Sequence, residues 1–212
     1  MAERPAFYLD HRRVVSKSYS FEWFPGFSRS QKQKSIASLH AAIRRWNPNA
    51  CPLEVSTKSP DVLGVKLSAF TLRLNGHTLE NVFQSAKVFE RGGPYLDLLD
   101  VPPKAAKRDE RLRTSGRLTA FRYQGVDFPL EPRTLFYDYI YLSAVKESLS
   151  KPEIEQIAQY NCFTDIEFNP AKSLNTQART AALLRLLLDE YQCLPDFSRD
   201  SFMRWSKEHV TE

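Results

Sequence analysis

Residues 79–89 read LENVFQSAKVF, a largely apolar segment with a few polar residues at regular spacing. Glu80, Gln84 and Lys87 stand at i, i+4 and i+7, so on an α-helix they fall within about 60° of one another. The pattern predicts a helix over 79–90 that is mostly buried. Its polar stripe then faces a partner, a cavity or a ligand, because unpaired buried charge is costly. A plain ion pair between Glu80 and Lys87 near the surface is the alternative.

The segments on either side of this helix predict short strands and further helices, and therefore an α+β fold. We expect a predominantly helical single domain over 1–212 with a small sheet. It comprises an N-terminal strand and helix extension over 1–60, a core over 61–192 and a C-terminal helix over 193–212. Alternation, capping residues and turn pairs place the other elements. The predicted strands cover 15–23, 53–57, 70–74 and 162–168. The predicted helices cover 28–46, 79–90, 103–116, 134–149, 173–191 and 196–209, and a further short helix follows Pro152.

Composition favours a cytoplasmic protein without a metal or cofactor. The N-terminal residues MAERPAFYLD lack an apolar signal core, and no apolar run approaches the roughly 20 residues that cross a bilayer. Three widely spaced cysteines do not indicate a disulfide framework, so we expect small core residues in a reducing compartment. The four histidines show no metal-ligand spacing.

Positive charge is concentrated in two segments, residues 28–53 and 104–122, each with a net charge of +5. The whole chain also carries +5, so the remainder is acidic. Localised positive charge attracts phosphate backbones, although two solvated helix faces would give the same pattern.

The central segment resembles the NADAR (YbiA-like) superfamily. The helix signature of this family, a Glu, an aromatic-Gln pair and a Lys before apolar residues, is matched by Glu80, Phe83-Gln84 and Lys87-Val88-Phe89. Further matching elements precede and follow this helix along the chain. They are Ser68-Ala69-Phe70, with Ala69 in place of the family's Asn, the turn Asn75-Gly76, Asp165, Asn175 and the Leu-rich run 181–188.

One departure and one closer match refine this resemblance. The Trp-Gly that follows the family's Asp is absent, and Ile166-Glu167-Phe168 stands after Asp165 instead. Residues 21–28 and 92–95 resemble a particular branch, the NADAR antitoxins encoded beside DarT-type ADP-ribosyltransferase toxins. That resemblance implies a NADAR-like fold, ADP-ribosylated DNA as the substrate, in single-stranded form, and a cognate toxin as a further partner. The implied activity is the removal of ADP-ribose from guanine.

Cleavage of an N-glycosidic bond needs a proton for the departing nitrogen, stabilisation of charge on the sugar and a nucleophile. Glu80 suits acid–base chemistry, and Asp165 suits ribose binding or water activation. Lys87 can attack an opened sugar as a free amine, or it can remain a positioning charge. The other candidates bind the substrate or the DNA. For the substrate they are Ser68, Phe70, Phe83, Gln84, Ser173, Asn175 and Arg179, and for DNA Lys107, Arg111 and Arg117.

Several alternatives stay open at this point. Phe70 and Gln84 can serve the fold instead, and Ser173 or Asn175 can simply cap a helix. An N-glycosidase of a small nucleotide metabolite would use the same catalytic residues. A non-catalytic module that binds ADP-ribose or the toxin would keep the pocket without turnover.

Overall fold

The computed structural model describes residues 1–169 and 177–209. They form two compact units, described separately below. The terminal unit comprises Met1–Ser68 and Leu149–Thr211, and the central unit comprises Ala69–Ser148.

Helices and short strands are present in both units, which confirms the predicted α+β class. In chain order, the strands are β1 (Ala2–Asp10), β2 (Arg13–Phe21), β3 (Pro52–Glu54), β4 (Arg73–Leu74), β5 (His77–Thr78), β6 (Lys87–Phe89), β7 (Leu118–Tyr123), β8 (Val126–Phe128) and β9 (Cys162–Thr164). The α-helices are α1 (Arg29–Trp46), α2 (Val62–Lys66), α3 (Leu79–Ser85), α4 (Pro103–Ala106), α5 (Arg111–Thr114), α6 (Leu135–Ser148), α7 (Lys151–Gln156), α8 (Gln177–Tyr191) and α9 (Arg199–His209).

The terminal unit is built on a mixed sheet with the strand order β2-β1-β9-β3. β1 is antiparallel to β2 and β9, whereas β3 runs parallel to β9. Of the two serines that could cap α1 by sequence, Ser28 and Ser30, it is Ser28 that does so by accepting a hydrogen bond from the backbone of Gln31. The apolar face of α1 buries Ile36, Leu39 and Ile43 in a core shared with strand residues of β1 and β2. The apolar periodicity of α1 therefore anchors the N-terminal hairpin.

The central unit contains residues 79–89, the segment with the polar stripe. The hairpin β4–β5 turns at Asn75 and Gly76, which have φ values of 51° and 80°, and Thr78 caps α3. Positive φ at both turn positions explains the Asn-Gly pair that predicts this turn. A second sheet has the order β6-β7-β8.

The predicted helix over 79–90 is wrong in its second half. α3 ends at Ser85, Ala86 forms its C-cap, and Lys87 begins β6. Lys87 pairs with Phe121 across the antiparallel β6–β7 ladder. Val88 and Phe89 favour an extended strand once a partner strand is present, and that partner lies about thirty residues further along the chain.

Several other predicted elements are shorter in the structure, or are divided. The predicted helix over 103–116 is two one-turn helices, α4 and α5, and the strand over 70–74 is reduced to Arg73–Leu74. The long strand over 162–168 stops at Thr164. The prediction of core cysteines holds for Cys162, whereas Cys51 and Cys193 are exposed. Over residues 1–169 and 177–209, no helix has the length and apolarity needed to span a membrane.

Candidate functional site

Glu80, Gln84 and Lys87 form a hydrogen-bonded chain in the central unit. The Gln84 amide donates to Glu80 Oε1 at 2.9 Å, and Lys87 Nζ donates to Gln84 Oε1 at 2.7 Å. Because an ammonium can only donate, the Gln84 oxygen faces Lys87 and its NH₂ group faces Glu80. Glu80 and Gln84 are buried, and Lys87 is partly buried. The amide of Gln84 therefore links the carboxylate to the amine.

The backbone of Lys87 is held by close packing as well as by strand pairing. Gly93 has a φ of +86°, and a Cβ at this position would lie 2.3 Å from the carbonyl oxygen of Lys87. Just before Lys87, Ala86 accepts a hydrogen bond at 2.7 Å from the backbone N–H of Arg122. Only glycine allows this approach, so Gly93 belongs to the support of the site.

Burial makes Lys87 unusually easy to deprotonate. Its pKa falls from 10.5 to about 8, chiefly because desolvation disfavours the ammonium. The negative charge of Glu80 raises the pKa of Lys87, and the positive charge of Lys107 lowers it. With a pKa near 8, about a tenth of the side chain is free amine at pH 7.

Lys107 lies at this site, although its position in a basic segment made it a candidate DNA contact. Its Nζ lies 3.6 Å from Glu80 Oε1 and 5.5 Å from the centre of the Phe70 ring. The ion pair that Glu80 forms in the described part of the chain is thus with Lys107, and Gln84 stands between Glu80 and Lys87. The sequence could not predict this contact, because residues 80 and 107 are far apart in the chain. The turns and short helices between them leave their distance in space undetermined by local pattern.

The two candidate aromatic residues differ in their surroundings. Phe83 packs against Phe121, Phe136 and Tyr137 at ring-centre distances of 5.4, 6.3 and 5.1 Å, and the Lys87 ammonium lies 4.8 Å from its ring. Phe83 is thus part of an aromatic core that also contacts the amine. Phe70 is partly buried beneath Lys107, so the structure brings it to the same cluster.

Asp165 lies in the terminal unit, where it is buried near a second carboxylate, Glu54. Burial raises the pKa of Asp165 to about 6, although hydrogen bonds from the Glu167 backbone and the Gln177 side chain lower it. Burial also raises the pKa of Glu54 to about 8, and the charge of Asp165 raises it further. One of two neighbouring buried carboxylates can thus retain a proton near neutral pH.

Glu54 is a residue that the sequence analysis missed. Its Oε1 accepts a hydrogen bond from the Ile166 backbone at 2.8 Å, and its Oε2 lies 2.6 Å from the Thr164 hydroxyl. The same hydroxyl lies 2.9 Å from His40 Nε2, and burial lowers the pKa of His40 to about 3, so this imidazole is neutral. A carboxylate inside the short apolar run Leu53-Glu54-Val55 was the available signal.

Two of the remaining substrate-binding candidates lie in or next to the terminal unit's helices. Ser68 is buried two residues after α2, and Arg179 is partly buried in the first turn of α8. Ser173 and Asn175 fall outside the described residues. Within the described parts of the chain, no group of His, Cys, Asp and Glu side chains has the arrangement of a metal site.

The proposed DNA contacts each have an acidic neighbour. Arg111 lies between Asp97 and Asp109, with nitrogen–oxygen distances of 2.6 and 2.9 Å, and Arg117 pairs with Glu90 at 2.7 Å. In the other basic segment, Lys32 is buried, pairs with Glu167 at 3.0 Å and lies over the Trp23 ring. Much of this charge is therefore compensated locally and does not form a purely basic face.

Taken together, the fold and this cluster define an α+β protein in which a desolvated lysine is linked through an amide to a buried glutamate. A comparison with family models matches residues 2–212 to the DarT1-associated NADAR antitoxin family. The chain belongs to this family, which confirms the resemblance seen in the sequence. No curated protein matches the chain significantly.

Proposed function

We propose that this protein is an ADP-ribosyl N-glycosidase that removes ADP-ribose from guanine in DNA and thereby acts as the antitoxin to a DarT-type toxin. One observation carries the proposal: the Lys87 amine has a pKa near 8 and is hydrogen-bonded through Gln84 toward Glu80. An amine with this pKa, supplied with a nearby carboxylate, can do both nucleophilic and proton-transfer chemistry at neutral pH.

In the first stage, Lys87 replaces guanine at the anomeric carbon. The bond between C1 and the ring oxygen breaks, the oxygen takes a proton, and the guanine amine shares its electron pair with C1 to form a protonated imine. The free amine of Lys87 then forms a bond to C1. After a proton moves from Nζ to the guanine nitrogen, the bond from C1 to that nitrogen breaks, and guanine leaves as its neutral amine.

In the second stage, water releases the sugar. Water adds to C1 of the protonated lysine imine and loses one proton, which Nζ takes. The bond between C1 and Nζ then breaks, and the new C1 hydroxyl gives its proton to Glu80, which replaces the proton that the ring oxygen received in the first stage. ADP-ribose departs as the aldehyde, which recloses to the ring. The net reaction consumes one water, and Lys87 returns to the amine.

The neighbours of Lys87 have distinct proposed tasks. Glu80 accepts and returns the protons, and Gln84 holds the amine toward it. Lys107 offsets part of the charge of Glu80 and so weakens the stabilisation that this carboxylate gives to the ammonium form of Lys87. Asp165 binds ribose hydroxyls or activates water, and Ser68, Phe70, Phe83 and Arg179 contribute to binding the ADP-ribosyl group, with Ser173 and Asn175 for the diphosphate.

The decisive experiment offers the purified protein matched oligonucleotides that carry ADP-ribose on guanine or on thymine. Mass analysis should show free ADP-ribose and an unmodified strand from the guanine substrate. Persistence of the guanine adduct with an excess of folded protein would refute the activity. Rescue of cells that express a DarT-type toxin, lost in the Lys87→Ala variant, would separately test the antitoxin role.

A second candidate function is cleavage of an N-glycosidic bond in a small nucleotide metabolite. It is favoured by the acidic partners of Arg111 and Arg117, which reduce the charge available to a DNA backbone. The same assay distinguishes the two, since a metabolite hydrolase should release ADP-ribose from an ADP-ribosylated guanosine as fast as from an oligonucleotide.

A further inference from the structure

A cavity of about 160 Å³ lies in the terminal unit beside the last turn of α1. Two of its walls are aromatic, Tyr8 and Trp46, and Tyr19 and Asn47 add polar atoms. Its volume is well below the roughly 300 Å³ at which pockets for drug-sized ligands begin. It therefore suits a single flat ring system and not a whole dinucleotide.

The two aromatic walls of the cavity are nearly parallel to each other. The rings of Tyr8 and Trp46 are inclined by only 22°, yet their centres are 6.4 Å apart. This distance is near the upper end of the range for rings in contact. A distance between ring centres includes lateral offset, so the stacking surface offered to a base is the exposed indole of Trp46 and not a gap between the two rings.

One positive charge lies over the indole of Trp46, and two more are exposed on the same helix. Lys17 Nζ lies 3.5 Å from the centre of the Trp46 ring, and Arg44 and Arg45 are exposed in the last turn of α1. Residues 28–53 contain no acidic side chain. Because lysine is flexible, its ammonium can follow a phosphate while a flat ring takes its place on the indole. Exposed aromatic rings beside cations are the usual means of binding single-stranded nucleic acid.

We propose that this cavity, bounded by Tyr8 and Trp46, binds an unpaired base of single-stranded DNA, which stacks on Trp46 while Lys17, Arg44 and Arg45 contact the neighbouring phosphates. Trp46 is 56% exposed, so its ring is accessible from solvent. The proposal deepens the DNA-directed function above and rests on it for its biological meaning. It assigns part of the strand's affinity to a base rather than to phosphate charge alone.

The test measures binding of an unmodified 12-nucleotide single strand, and of an abasic strand of the same length, by fluorescence anisotropy at constant salt. The abasic strand keeps the phosphates and lacks the rings. We expect Trp46→Ala to weaken binding of the base-containing strand about 5- to 150-fold, the equivalent of one lost stacking contact, and to change binding of the abasic strand less than about twofold.

Two further variants keep the test conclusive. Trp46→Tyr should retain most of the affinity, because it keeps a ring. If Trp46→Ala proves unstable, Trp46→Leu replaces it and should weaken binding to the same extent. The matched control is Tyr191→Ala, which removes another exposed aromatic residue from the last position of a helix and should leave binding unchanged.

Three results would overturn the inference. They are an unchanged affinity in Trp46→Ala and Trp46→Leu, an equal loss on both strands, or no binding of either strand by the wild-type protein. Loss of binding to the toxin with unchanged binding of DNA would instead make the cavity a protein contact. The strand carries no ADP-ribose, so the binding result does not depend on whether the protein hydrolyses ADP-ribosylated guanine. Failure of the proposed activity is therefore recognised separately, in the hydrolysis assay.

Discussion

Lys87 donates a hydrogen bond to Gln84 across 2.7 Å, although the two side chains come from different elements, a strand and a helix. Gln84 is buried and in turn donates to Glu80, so its orientation is determined on both sides. The amine is thus pre-oriented, and among the described residues its hydrogen bond is to the Gln84 amide rather than to a carboxylate. The arrangement is compatible with a nucleophilic and with a purely electrostatic role of Lys87, and substitution of Lys87 distinguishes the two.

We expect Lys87→Ala to lower turnover of ADP-ribosylated guanine by at least about 1,000-fold while the fold is retained, because the nucleophile is removed. Lys87→Arg should be equally inactive, since guanidinium keeps the charge but stays protonated. Borohydride added during turnover should trap a sugar adduct on Lys87, identified by peptide mass. If no adduct forms and Lys87→Arg is nearly as active as wild type, Lys87 is a positioning charge.

The pH profile of kcat/KM should rise as Lys87 loses its proton and level off above a pH of about 8. Lys107→Ala should shift this rise to higher pH, because removal of a nearby positive charge raises the pKa of Lys87. A shift of half a unit would reduce the free amine at pH 7 about threefold. Lys104→Ala, at an exposed lysine of α4, the helix that Lys107 caps, is the control and should keep the wild-type profile. An acid-ward shift in Lys107→Ala would contradict this assignment.

Gly93→Ala should reduce turnover, because the new methyl group would collide with the Lys87 carbonyl and displace the amine. Gly125→Ala is a matched control: its φ is also positive, at +76°, but no atom lies within 4 Å of the added methyl group. Both variants carry a backbone strain of about 1–2 kcal/mol. Equal activities after correction for the folded fraction would show that the Gly93 contact does not position Lys87.

The free energy of unfolding should depend on the protonation of Glu54. Its pKa is raised in the folded state from 4.5 to about 8, so its stabilising contribution is complete below the unfolded pKa and is lost as pH rises through about 8. Glu54→Gln can keep the hydrogen bonds to Thr164 and Ile166. In this variant, the free energy of unfolding measured in urea should depend less on pH between 4.5 and about 8. Glu155→Gln, at an exposed carboxylate of α7, should leave the slope unchanged. A slope that persists in Glu54→Gln would assign it to other groups.

The salt dependence of DNA binding should distinguish the two arginines proposed as contacts. Arg117 is 90% exposed in its side chain, and Arg117→Ala should reduce the slope of log affinity against log salt by about 0.7 if it contacts a phosphate of a single strand. Arg111 is held by Asp97 and Asp109, so Arg111→Ala should lower the melting temperature and leave the slope nearly unchanged. An unchanged slope in both variants would place the DNA contact elsewhere.

Local sequence was sufficient for several elements and for the choice of candidate residues. Ser28 and the apolar spacing of residues 36–46 predict α1, Asn75-Gly76 predicts the β4–β5 turn, and the Leu-rich run predicts α8. Caps and turns depend on a few adjacent residues, and amphipathic spacing on one helix, so no long-range information is needed.

Only the tertiary structure decided how the candidate site is assembled. The spacing of Glu80, Gln84 and Lys87 fits one continuous helix, but pairing with β7 converts Lys87 into a strand residue while its hydrogen bond to Gln84 is kept. Lys107 reaches Glu80 from a basic segment that looks, in sequence, like a solvated or DNA-binding face. Backbone pairing, desolvation and charge proximity arise between residues far apart in the chain. The pKa of Lys87 is therefore set by the folded molecule, whereas the identity of the lysine is set by the sequence.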